Sequence, residues 1–157
     1  LAKIVLNGCY GGFHWSNRAI VEILKRKGVL DKTTFVRTKW GEAPTEISES
    51  EYVEGERYSM YHVNDESWEG FDLRDDPDAI AVLEEKGSNF CSGSCSELYI
   101  EEYDEELFIP KIEEYDGSET LDLIPNLTEE KVRNCNTIDE VVELLRKTGA
   151  LCHRFCA

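Results

Sequence analysis

Apolar residues in this chain arrive in short clusters, and the spacing within each cluster predicts an element. Ile4, Val5 and Leu6 sit in a compact run at residues 3–7 closed by a glycine-rich turn, the signature of a short strand. The loop Gly8-Cys9-Tyr10-Gly11-Gly12-Phe13-His14-Trp15 follows. Beyond it Ala19, Ile20, Ile23 and Leu24 recur with helical spacing, while Arg18, Glu22, Lys25 and Arg26 fall mostly outside that stripe. Ser16 is placed to cap this helix, and Gly28 to stop it after a lysine-rich last turn that suits the negative end of the helix dipole. A second strand is expected around residues 33–36. Residues 41–56 are acidic, poor in apolar positions and interrupted by Pro44, which predicts a surface excursion. The aromatic run at 58–63 predicts another strand.

The second half alternates in the same way. Asp76 and Pro77 open a helix, one as a cap and the other at a first-turn position where its missing N–H costs nothing. Ala79, Ile80, Val82 and Leu83 supply its apolar face before Gly87. Residues 87–95 are small, polar and uncharged. Strands are expected from Leu98, over 108–115 and over 120–124, with Asp116-Gly117 as a hairpin turn and Pro110 marking an edge. Residues 98–124 therefore predict a three-stranded antiparallel meander. Thr137 and Glu140 form a capping box ahead of a last helix ended by Gly149. Together these give an α/β (α+β) protein of one domain, 1–157, in the order β-α-β-β-α-β-β-β-α. Its helices pack on a mixed or largely antiparallel sheet, with a core at 3–124 and a helical extension at 125–157.

Charge changes the picture more than composition does. The 157 residues carry a formal net charge of −16. Residues 1–41 hold 8 basic and 2 acidic side chains, whereas 42–86 hold 3 and 15, and 97–123 hold 1 and 11. Free nucleic acid is a poor ligand for such a surface; a basic protein partner or self-association fits it better. No apolar run reaches the roughly 18 residues that a membrane span needs. The apolar run at the start is too short for a signal peptide, so a cytoplasmic protein is expected.

Lys3-Ile4-Val5-Leu6-Asn7, Cys9-Tyr10-Gly11-Gly12-Phe13 and Ser16 resemble the opening motif of a family of small uncharacterised proteins of bacteriophages and large DNA viruses. The likeness continues through Arg74, Asp76 and Pro77, Leu83-Glu84-Glu85 before Gly87, Leu98-Tyr99-Ile100, and Ile112-Glu113-Glu114-Tyr115-Asp116-Gly117. Trp15 stands at a hydrophobic position of the motif. The acidic stretch at 41–56 looks enlarged, and the segment after the hairpin, with a helix and three cysteines, departs from the family pattern. The resemblance implies a viral accessory protein of the infected cell, or a component of the virion, and supplies no mechanism.

Candidate chemistry gathers at three places. Gly11 and Gly12 before a helix, with Ser16 and Arg18, form a loop that an anionic or nucleotide-like ligand can approach; Tyr10 and Trp15 would wall its planar part, and Arg74 would complete the charge. The spacing matches no dinucleotide or P-loop fingerprint, and a tight turn with a capped helix explains the same residues. Cys9 and His14 share that loop without an identifiable orienting group, and no carboxylate pair stands out as acid and base, so a non-enzymatic protein is expected. Finally, Cys91, Cys95, Cys152 and Cys156 form two pairs spaced for structural zinc, for disulfides or for reduced thiols. No cofactor is expected, structural zinc being one of these three alternatives.

Overall fold

The computed structural model describes residues 1–55, 59–64 and 73–150. Its first unit follows the expected grammar. Strand β1 (Ala2–Asn7) leads through the glycine loop into helix α1 (Asn17–Lys27). Ser16 accepts a hydrogen bond from the Ala19 N–H at 3.1 Å, and Gly28 closes the helix at φ 70°, a left-handed conformation that glycine adopts without a Cβ penalty. Ala19, Ile20, Val21, Ile23 and Leu24 are all buried. Each such side chain contributes on the order of 1.5–3 kcal/mol when fully buried, Ala19 less.

Three strands form an antiparallel sheet: β2 (Thr34–Lys39) runs between β3 (Thr45–Ile47) and β4 (Ser59–Asn64). Between β3 and β4 lies helix α2 (Glu49–Glu54). The expected surface excursion is therefore structured. Ser48 accepts from the Glu51 N–H while Glu51 Oε2 accepts from the Ser48 N–H, a complete capping box that starts a helix in an acidic stretch. Tyr52, only 3% exposed, anchors that helix against Phe35 with ring centroids 4.5 Å apart.

Helix α3 (Pro77–Lys86) starts as the sequence predicts, the Asp76 carboxylate accepting from Asp78 and Ala79 N–H groups. A short helix α4 (Ser88–Cys91) follows, then β5 (Leu98–Tyr103). The expected meander is corrected here. β5 pairs antiparallel with β1, from Ala2 opposite Tyr103 to Asn7 opposite Leu98, and not with β6. Strands β6 (Phe108–Tyr115) and β7 (Ser118–Pro125) make a hairpin of their own through Asp116 and Gly117, at φ 51° and 87°. All strand pairings among the described residues are antiparallel, in three separate sheets. The protein is thus a mixed α/β fold of open antiparallel sheets and helices.

One continuous core joins Val5 of β1, the buried face of α1, Ala79, Ile80, Val82 and Leu83 of α3, Cys91 and Leu98, and reaches Phe35, Tyr52 and Val63 of the three-stranded sheet. Two further helices, α5 (Glu129–Arg133) and α6 (Ile138–Lys147), follow the hairpin, and none of their residues is buried. No described helix is long and apolar enough to cross a membrane.

The β6–β7 hairpin is fastened to β1 by a buried polar network. Arg74 forms a bidentate pair with Glu119, Nη1 to Oε2 at 2.6 Å and Nη2 to Oε1 at 2.7 Å, and its guanidinium carbon sits 3.7 Å from the Phe13 ring centre. Glu119 Oε2 also accepts from the Asn7 N–H at 2.9 Å. The Asn7 side chain, in a fully buried residue, donates to the carbonyls of Cys9 and Gly117 and accepts from the Glu97 N–H and Ser96 Oγ. The pair joins two residues 45 positions apart in the chain.

Candidate binding cleft

The Gly8–Trp15 loop, the start of α1, helix α2 and strand β4 enclose a cleft of about 350 Å³. The volume lies at the small end of the range for ligand pockets, about 300–1,000 Å³. Its walls are mostly rings. Phe13 and Trp15 stand edge to face with centroids 6.2 Å apart, and Tyr52 and Tyr61 do the same at 5.7 Å. Asn17 Nδ2 donates to the Tyr52 carbonyl at 2.7 Å, which ties the first turn of α1 to α2 and fixes the width of the cleft there. His14, Met60 and His62 complete the rim, with Met60 62% exposed.

Local sequence explains each wall. Period-2 alternation in β4 puts Tyr61 on the same face as buried Val63. In register they oppose Arg37 and Phe35 of β2. The capping box that starts α2 sets Tyr52 beneath Tyr61. Burial pushes the Tyr52 phenol above its ordinary range, so it stays protonated under any physiological condition. A cleft walled mostly by rings is suited to hold a flat, largely apolar group.

Of the residues singled out in the sequence, the structure brings Trp15 and His14 to the cleft. The glycines serve the protein's own backbone. A Cβ on Gly11 would land on the carbonyl oxygen of Cys95, and one on Gly117 would meet the Gly12 backbone nitrogen, so two loops close over the surface that an anion was expected to use. Ser16 caps α1 and donates its hydroxyl to the Phe90 carbonyl at 2.7 Å. Arg18 donates to the carbonyls of Phe90 and Asn89 at 2.9 and 2.7 Å and lies over the Phe90 ring. Tyr10 is 71% exposed and does not line the cleft, and Arg74 is held by Glu119.

Structural zinc, one of the alternatives for the cysteine pairs, is overturned. Among the described residues no group of three or more His, Cys, Asp or Glu side chains is placed to hold a metal ion. Cys91 is fully buried in the core, where its thiol contacts the Val82 carbonyl, whereas Cys95 is exposed, so the two do not offer one ligand face. Cys152 and Cys156 lie outside the described residues. Cys9, Cys91, Cys95 and Cys135 are all thiols. His14, the other half of the thiol–imidazole pair considered in the loop, packs its ring against Gly93.

Sequence reasoning missed Tyr52, Tyr61, Asn17 and His62 as cleft residues. A signal for the first was present: Ser48 and Glu51 have capping-box spacing directly before Tyr52. The others come together only through the pairing of β4 with β2 and the docking of α2 on α1. In comparisons with known proteins, no family model, no curated protein and no solved structure matches the chain.

Proposed function

We propose that the protein is a non-catalytic binding module that takes a small planar molecule in the cleft between the Phe13–Asn17 segment, α2 and β4. The observation that carries this reading is the cavity of about 350 Å³ walled by Phe13, Trp15, Tyr52 and Tyr61. Offset and edge-to-face ring packing adds roughly 0.5–1.5 kcal/mol per pair beyond buried area, so a flat guest gains from several walls at once. Native mass spectrometry of the protein purified from its natural source tests this, followed by calorimetry with whatever co-purifies. A small molecule bound one to one, and lost on Tyr61→Ala, supports the reading. Protein that carries nothing, and that binds no member of a broad aromatic panel, overturns it.

A second reading concerns the surface. Glu101, Glu102, Glu105, Glu106, Glu113 and Glu114 are all exposed on β5, the following turn and β6, which makes this stretch of surface chain strongly negative. A protein partner rich in Lys and Arg suits that stretch, and the resemblance to viral proteins sets the encounter in an infected cell as the work of an accessory protein. Pull-down from infected-cell lysate tests it. Capture of a basic protein that falls away as salt rises supports it; failure of the intact protein to capture any partner counts against it.

A further inference from the structure

Trp15 is 4% exposed, and its indole Nε1–H is a covered polar atom with no hydrogen-bond partner among the described residues. Ser59 Oγ, on the β4 wall of the same cleft, is in the same position. An indole N–H can only donate, and leaving it buried and unpaired is costly. The wall of the cleft therefore contains a covered donor without an acceptor.

Charge narrows the guest further. No Asp, Glu, Lys or Arg is among the described residues that line the cleft. Arg37 and Lys39 stand in register opposite Tyr61 and Ser59, and neither is free. His14 and His62 also line it, but no carboxylate, ammonium or guanidinium among the described lining residues would offset the water that a charged ring loses here. Resting on the reading of this cleft as a ligand site, we propose that its guest is an uncharged heteroaromatic of one or two rings. It lies against the aromatic walls and accepts a hydrogen bond from Trp15 Nε1 through a carbonyl oxygen or ring nitrogen. Because Nε1 is covered, the acceptor reaches it through a shift of Trp15 or its neighbours, so binding changes the surroundings of the Trp15 indole.

Three probes of similar shape separate the contributions: quinoline, which carries a ring-nitrogen acceptor, naphthalene, which carries none, and 2-naphthoate, which carries a charge. Binding to the full chain is measured at pH 8 by ligand-observed NMR titration, with tryptophan fluorescence followed alongside. Quinoline is expected to bind about five- to tenfold more tightly than naphthalene, the worth of one modest hydrogen bond, with 2-naphthoate weakest. Trp15→Phe should bring quinoline to the level of naphthalene and leave naphthalene within about twofold. Should that variant fail to fold, the quinoline-to-naphthalene ratio in the unaltered protein still decides. Equal binding of quinoline and naphthalene overturns the assignment of Nε1 and leaves the cleft as a site for flat rings. Tighter binding of 2-naphthoate overturns the uncharged class. If none of the three binds, the reading of the cleft itself falls with the inference.

Discussion

Arg74 and Glu119 face each other through two parallel hydrogen bonds, at 2.6 and 2.7 Å, in a site where Glu119 is only 5% exposed. Their pairing fixes where the β6–β7 hairpin sits, since the same carboxylate also accepts from the Asn7 N–H of β1. A buried pair of this kind punishes the loss of one member more than the loss of both, because the survivor is left charged and unmatched. Arg74→Met and Glu119→Gln should therefore each cost about 3–5 kcal/mol. The double variant should cost less than the sum by at least about 1 kcal/mol. Urea denaturation of the four proteins gives the coupling; strict additivity would show that the pair is not energetically linked.

Gly11 and Gly12 are expected to respond differently to alanine although they are neighbours. At Gly11 the new Cβ meets the Cys95 backbone, so the two loops must part, and the loss should exceed about 3 kcal/mol, in the range of severe core disruption. At Gly12 there is open space but φ is 86°, so only backbone strain of about 1–2 kcal/mol is incurred. Equal losses in thermal unfolding would contradict the close approach at Gly11.

Acid should weaken the start of α3 in a defined direction. Burial works against ionisation of Asp76, but hydrogen bonds from Lys27 and from the Ala79 and Asp78 N–H groups outweigh it and hold the carboxyl below the usual range. A depressed pKa means that the folded state binds the proton less readily than the unfolded chain. The stabilisation is therefore complete above the ordinary Asp value of about 3.9 and is lost as pH falls through the lower folded value. Asp76→Asn retains a cap but not the ion pair, so it should lower stability at pH 7 by about 1 kcal/mol and flatten the acid limb of the stability curve. A limb unchanged by the substitution would assign that slope to other groups.

Thiol chemistry should divide cleanly between two cysteines four residues apart. Burial pushes the Cys91 thiol up to about 11, and its side chain is sealed in the core, whereas Cys95 is exposed. Since the thiolate is the nucleophile, iodoacetamide at pH 8 should label Cys95 within minutes and leave Cys91 unmodified until the protein is unfolded. Peptide mass mapping reads both sites; early labelling of Cys91 would show that the core around it opens.

Tyr52→Ala should cost about 3–5 kcal/mol, the usual loss for removing a buried aromatic. The same change should release α2, because Tyr52 is its only buried residue. Hydrogen exchange at residues 49–54 should rise together with the loss of stability. Retained protection there would mean that the capping box alone holds the helix.

The sequence by itself determined the elements whose causes are local. α1, α3 and α6 have their caps and stripes within a dozen residues of chain, and the Asp116-Gly117 turn fixes the β6–β7 register through two positive φ angles. Net charge and the absence of long apolar runs were equally plain. Partnership was not. β5 ends beside β1 and not β6, Arg74 meets Glu119 from 45 residues away, and the cleft joins residues from 13 to 62. Each of these is settled by which apolar faces can be buried together and which buried polar groups then find a partner, a competition over the whole chain that no short stretch of sequence encodes.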